Sequence, residues 1–201
     1  MNSLLTLAQS LGIAYASGIS LYATVALVGL GERYGVIGPL PGLLGALENP
    51  IVIALAVLLA LVEFLATLIP GVASAWEATH TMIRTPAAAA LAIATAWHAD
   101  PLVIALAGLL GGGLGLTTNL TKLGLRVAVD SSPEPFSNGL VNTTELGIVA
   151  GLCYTIWQHP LPALGAALLI LALTMLLVRA VWRAIRNLFR VKPTPAAVPD
   201  R

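Results

Sequence analysis

Glu63 stands at position 13 of the nineteen-residue apolar run 51–69, with Thr67 one turn on along the same helix face. A carboxylate near the centre of a bilayer costs at least about 2.5–3.5 kcal/mol, so it needs a partner, water or a task. A tight turn at Pro70-Gly71 followed by one helix from about 74 to 97, capped by Ser74 with Glu77, brings Glu63 level with His80 and sets Arg84 one turn deeper. Glu77, His80, Thr81 and Arg84 then share a polar face, and Pro86 only kinks the helix. The competing division, a surface helix over 74–84 and a span over 86–97, leaves twelve residues to cross a bilayer that needs about twenty. The long helix is preferred.

A second set has the same character. Asn119, Lys122 and Arg126 recur at spacings of three and four on a helix that nothing breaks between Pro101 and Asp130. Across the turn at 131–135, with Ser137 or Asn138 as N-cap, Glu145 returns to roughly the level of Lys122, accompanied by Asn142, Thr143 and Thr144. In the first apolar stretch Ser17, Ser20, Tyr22 and Thr24 put hydroxyls at mid-depth, where they can also bond the preceding turn. The candidate solute- or ion-binding set is therefore Glu63, His80, Arg84, Asn119, Lys122, Arg126 and Glu145, with Ser17, Tyr22 and Asn138 beside it. Carboxylates facing cations can bind and release a small charged solute, an ion or a proton. Equally, they can be neutral pairs that stitch helices together.

Other chemistries lack their residues. There is no His-x-x-His or His-Glu-x-x-His spacing, no phosphate loop, no Gly-x-Ser-x-Gly elbow and no Ser/His/Asp set on one face, so neither an enzyme nor a metal or other cofactor is expected. One cysteine, Cys153, excludes a disulfide framework and reads as a small buried apolar group. A net charge of +1 gives no argument for nucleic acid.

The elements that must hold these residues are helices in a membrane. Of 201 residues, 58% are apolar and 9% are charged, against about 25% charged in a soluble domain, and the mean hydropathy is +0.91. Apolar stretches at about 4–30, 50–69, 82–97, 101–118, 139–157 and 160–178 are separated by Gly/Pro-rich turns, and Pro50, Pro101 and Pro160 open theirs as first helical residues. The fold class is all-α: a polytopic membrane bundle of about six transmembrane helices, one domain over 1–190, with a polar cytoplasmic tail at 191–201 expected to be disordered. Ala14-Tyr15-Ala16 mimics a signal cleavage site, but no Lys or Arg precedes it and the apolar pattern runs on to Leu30, so the first stretch is read as a retained helix.

Six spans with both termini inside place Arg84, Lys122, Arg126, Arg179, Arg183, Arg186, Arg190, Lys192 and Arg201 on the cytoplasmic side and only Arg33 outside. Arg179, Arg183, Arg186 and Arg190 form one basic stripe that anchors topology and could attract anionic lipid at the inner rim. His98 and His159 fall in outer turns, and the four tryptophans near span ends. The run 50–59 lies over 101–110 with eight of ten positions identical, the mark of a two-hairpin repeat, although Glu63 lies over Leu114. Gly108/Gly112 and Gly111/Gly115 are small-xxx-small pairs for close helix packing or for a homo-oligomer contact, and the three consecutive glycines leave open an unwound stretch lining a cavity.

Ser17-Gly18-Ile19-Ser20-Leu21-Tyr22-Ala23-Thr24, Glu63-Phe64 with Ile69-Pro70-Gly71-Val72, Ile83-Arg84-Thr85-Pro86, and Lys122 and Arg126 before Ser132-Pro133-Glu134-Pro135-Phe136-Ser137-Asn138 resemble the bacterial integral membrane family catalogued as domain of unknown function 4126. The resemblance covers nearly the whole chain and implies a multi-pass inner-membrane protein without supplying a substrate. The pattern it implies often has an acid four residues after the position of Glu63, another after Pro-Gly-Val, a His at 119 and an acidic pair at 145 and 146. Here Thr67, Ala73, Asn119 and Leu146 stand at those places. The expected function is a transporter or channel for a small solute, ion or proton; the alternatives are a lipid-handling protein of flippase or scramblase type and a non-catalytic membrane scaffold.

Overall fold

The computed structural model describes residues 3–130 and 135–188. Among them are seven α-helices, one 3₁₀ helix and no strand: α1 (Ser3–Ile19), α2 (Leu21–Arg33), the 3₁₀ helix (Leu44–Glu48), α3 (Pro50–Ala66), α4 (Val72–Thr95), α5 (Pro101–Asp130), α6 (Pro135–Gln158) and α7 (Pro160–Leu188). Proline opens α3, α5, α6 and α7, where the missing N–H has no intrahelical acceptor to lose. The expected tail at 191–201, with Arg190, Lys192 and Arg201, and the turn at 131–134 lie outside the described residues.

α4 is one helix straight through Pro86, in keeping with the length a span needs, but Ser74 does not cap it. Gly71, at φ 81°, precedes its first residue, and Asp130 Oδ2 accepts from Gly71 N, Ser74 N (both 3.1 Å) and Ser74 Oγ (2.5 Å). The carboxylate ending α5 thus does the capping. α6 begins at Pro135, so Ser137 and Asn138 lie within its first turn rather than before it.

The first apolar stretch is not one span. Ser20 leaves the helical region at φ −147°, ψ 105° and accepts from Ala23 N as the N-cap of α2. The Ser-Gly-Ile-Ser block carries the reason: serine hydroxyls compete for backbone groups, and Gly18 lets α5 come close. α1 runs parallel to α5. Ser3 and Thr6 lie with Thr95, His98 and Pro101 at one end of the bundle, Ala14 faces Gly111, and Gly18 faces Gly115 and Thr118. α2 returns antiparallel to α3, from Ser20 beside Glu63, past Gly29 against Ile53, to Arg33 donating to the Glu48 carbonyl. Together α1 and α2 form a helical hairpin about 26 and 20 Å long at 1.5 Å per residue. Its tip is inside the molecule, and both its outer ends lie where α3 and α5 begin.

α7 also runs parallel to α5, with Val178 on Gly124 and Arg179 in a cavity with Thr117 and Thr121. The start of α1 and the end of α7 are therefore at opposite ends of the bundle, which replaces the expected path with both termini on one side.

α5 and α7 are long and apolar enough to cross a membrane, and α1 and α3 are apolar but shorter. Only 28% and 18% of the most apolar windows of α5 and α7 are buried inside the chain, unlike the core helices of a water-soluble protein. Leu55, Leu58, Leu61 and Leu65 on α3, and Leu169, Leu173 and Leu176 on α7, are exposed, while Glu63, Glu77, Arg84, Lys122 and Arg126 are buried. Leucines outside and charges inside associate the chain with a membrane.

The apolar core comprises Ile13, Tyr15, Ile19, Val28, Leu44, Val149, Leu152 and Ile156, with Cys153 among them. A second seam of Ala14, Ala88, Ala92, Ala96 and Ala107 joins α1, α4 and α5. Gly108, Gly111, Gly112 and Gly115 close that seam against Ile93, Ala92, Ala89 and Ala88 of α4, and α5 stays helical through 111–113. That face is used within the chain, which removes it as an oligomer contact.

Candidate functional site

Four helices and the hairpin tip converge on one buried chain of ion pairs. Glu77 and Arg84 are seven residues apart on α4 and Lys122 and Arg126 four apart on α5, so each helix directs both side chains to the same side. Arg84 donates to Glu77 and, at 2.5 Å, to Glu63 of α3. Lys122 Nζ lies 2.8 Å from Glu77, 3.1 Å from Glu145 of α6 and 3.2 Å from Glu63. Arg126 closes the series on Glu145 at 2.8 Å and donates to Asn142 Oδ1. Three carboxylates face three cations, and the most exposed of the six side chains is Glu145 at 14%. Alternating sign lets these charges lie where none could lie alone.

The hairpin tip supplies both of its helix ends. The Ile19 carbonyl, in the last turn of α1, accepts from Lys122 Nζ at 2.6 Å, and Ser20 Oγ, capping α2, donates to Glu63 Oε2 at 3.1 Å. A carbonyl end meets an ammonium and an amide end meets a carboxylate, the arrangement the helix dipole favours. Lys122 thereby has four oxygens for three N–H bonds.

Of the sequence-predicted residues, the structure brings together Glu63, Arg84, Lys122, Arg126 and Glu145. Asn119 lies beside them, fully buried, its Oδ1 accepting from Thr81 at 3.1 Å. Glu63 is level with Arg84, not with His80. The His80 ring instead stacks on Trp76 at 4.1 Å and meets the Tyr22 ring edge-on at 5.9 Å, and Tyr22 in turn lies near Glu63 and Arg84. Ser17 bonds the Ala14 carbonyl in its own helix. Asn138 donates to Asp130 and so ties α6 to the junction of α4 and α5.

Glu77, Ser20 and Asn142, read from the sequence as polar neighbours but not as members of the candidate set, belong to the site, and the Ile19 carbonyl joins them with no sequence signal. The seven-residue spacing of Glu77 from Arg84 was the available signal for the first. Asn142 donates to the Phe64 carbonyl at 3.0 Å and lies 3.1 Å from the Thr67 hydroxyl, linking α6 to α3.

Two cavities flank the ion pairs. One, of about 210 Å³, lies between α3 and α6 on a floor of α2 and is lined by Ser20, Leu27, Leu61, Glu63, Asn142 and Glu145 among others. The other, of about 330 Å³, lies among α1, α5, α6 and α7, with Lys122 and Glu145 at its polar end. Glu145 is common to both. Its Oε1, together with Arg84 Nε, Arg126 Nε and Nη1 and Asn119 Nδ2, is buried without a hydrogen-bond partner. Among the described residues no group of His, Cys, Asp and Glu is arranged for a metal ion. The arrangement can exchange partners among charges of both signs at the inner ends of two apolar cavities.

Neither a curated protein nor a solved structure matches the chain. A family model described as a domain of unknown function, DUF4126, matches residues 7–180, a span that includes all six charged side chains described above and both cavities, and the chain belongs to that family.

Proposed function

We propose that this is a multi-pass inner-membrane transport protein of bacterial type, carrying a small charged solute, an ion or a proton past the ion-pair chain. The observation that carries the reading is the helix break at Ile19-Ser20, buried at mid-length, with each half-helix end on a charged side chain between two cavities. Interior breaks of this kind form substrate and ion sites in secondary transporters, because irregular backbone is tolerated at membrane depth only where protein or a cavity satisfies it.

Five helices, α3 to α7, cross the bilayer in this reading, and the α1–α2 hairpin enters from one side and returns. Arg179, Arg183 and Arg186 at the end of α7 make that end cytoplasmic, so the start of α1 is periplasmic together with Val36 and His98. Single cysteines in a Cys153→Ser background test it: impermeant reagent should label positions 3, 36 and 98 from one side and 186 from the other. Labelling of 3 from the side of 186 would restore a spanning first helix.

The activity is tested by reconstitution into liposomes, with proton, ion and small-solute flux followed in parallel with labelled-lipid movement. Flux of a solute or ion that Glu63→Gln abolishes is the expected result. The apolar walls of both cavities favour a second reading, movement of lipid headgroups past the same charges; lipid movement without solute flux would select it.

A further inference from the structure

We propose that the cavity between α3 and α6 binds a primary ammonium ion carrying an apolar body, with Glu145 as the receiving carboxylate. The proposal deepens the transport reading by naming its cargo, and rests on it for the direction the cargo takes. Lys122 shows what the site's oxygens hold, since its side chain is itself an alkylammonium gripped by Glu63, Glu77, Glu145 and the Ile19 carbonyl. Two of these carboxylates, Glu63 and Glu145, also line the cavity.

The cavity wall selects for the same chemistry. Its donors are in use: Ser20 donates to Glu63, the Thr67 hydroxyl lies 2.7 Å from the Glu63 carbonyl, and the Asn142 amide donates to the Phe64 carbonyl. The charged residues lining it are two carboxylates, Glu63 and Glu145, and Glu145 keeps one buried oxygen, Oε1, without a hydrogen-bond partner. A lining with two carboxylates and no Lys or Arg disfavours carboxylate, phosphate and sulfate ligands and suits an ammonium, the unpartnered Arg126 Nε and Nη1 belonging to a residue outside it. Leu27, Leu61, Phe64 and Leu146 complete the wall, so the rest of the ligand is apolar. A volume of about 210 Å³ falls below the roughly 300–1,000 Å³ of drug-sized sites, which makes the bound part small. A free amine and the headgroup of an aminophospholipid share this chemistry.

The test is equilibrium binding to the purified full chain in detergent. The ligands are 2-phenylethylammonium, neutral 2-phenylethanol and anionic 3-phenylpropionate, with short-chain phosphatidylethanolamine and phosphatidylcholine as the lipid arm. The amine should bind at least tenfold tighter than the alcohol or the acid. Glu145→Gln, folded by gel filtration, should weaken the amine tenfold and leave the alcohol unchanged. Leu61→Trp, on the wall outside the ion pairs, should abolish binding of both. Lys122→Ala, which removes the tethered competitor, should be stabilised by ethylammonium more than the wild type is. A preference for the ethanolamine over the choline headgroup, with free amine weak, would assign the ammonium to lipid; the reverse assigns it to a free amine. Equal binding of amine, alcohol and acid, or an unchanged amine affinity in folded Glu145→Gln, overturns the proposal. Solute flux in liposomes without amine binding would remove only the ammonium cargo, and amine binding without any flux would remove only the transport reading.

Discussion

Lys122→Met should lose about 3–5 kcal/mol of stability in detergent, and adding Glu145→Leu should fail to restore it. A Lys122–Glu145 pair taken in isolation leads to the opposite expectation, because a buried ion pair can often be exchanged for apolar residues at little cost. Lys122 is not half of a pair. It touches three carboxylates, and removing it with Glu145 leaves Glu63 and Glu77 sharing Arg84 alone while Arg126 loses its only carboxylate among the described ion pairs. Arg126 and Glu145 form the end of the series, so Arg126→Met with Glu145→Leu leaves two carboxylates facing two cations. That double mutant should be at least about 2 kcal/mol more stable than Lys122→Met with Glu145→Leu. Thermal unfolding of the set decides the point, and equal stability of the two double mutants would mean that the six charges do not act as one network. In liposomes the Arg126/Glu145 double mutant should be folded and inactive, whereas full activity would make that pair purely structural.

Gly115→Ala should destabilise by about 1–3 kcal/mol, the usual result of overpacking, while Gly113→Ala, two residues away, should gain up to about 1 kcal/mol from helix propensity. A Cβ at Gly115 would lie 2.4 Å from the Ala88 Cβ, and one at Gly111 would lie 2.5 Å from the Ala92 Cβ. Neither methyl can swing away, since each sits on a backbone already held in the α1–α4–α5 seam. A Cβ at Gly113 meets nothing within 4 Å. Opposite signs for these two substitutions on one helix are the expected readout of thermal unfolding. Equal effects would mean that α5 is not seated on α4 as described.

Much of this arrangement is legible in the amino-acid sequence alone. The prolines mark the starts of α3, α5 and α7, the absence of any strong breaker makes α5 a single helix, and the poor spanning length of 86–97 argues for one long α4. Spacings of three and four put Lys122 and Arg126 on one face, and counting across the two turns brings Arg84 towards Glu63 and Glu145 to the level of Lys122. The hairpin is a different matter. The stretch 4–30 is apolar throughout, and hydropathy does not distinguish a helix that continues from one that turns back at a single extended residue. Only the packing of α1 along α5 and of α2 along α3 does that. Levels counted from turns also drift, because a cap such as Gly71 rather than Ser74 shifts the start of a helix by whole residues, and one residue rotates a side chain by about 100°. Shifts of that size take His80 out of the charged set and bring Glu77 into it.

The hairpin also bears on how the protein comes to be assembled. α1 leaves the ribosome before α4, α5, α6 and α7, yet it packs against all four. Until α5 emerges, the Ile19 carbonyl has no Lys122 to meet, and Ser20 must wait for Glu63. Contacts between residues so far apart in sequence form slowly and leave early segments exposed in the meantime. α2, at 13 residues, is also too short to be held across hydrocarbon by itself. The α1–α2 tip can therefore make its buried contacts only after α3 and α5 have been made.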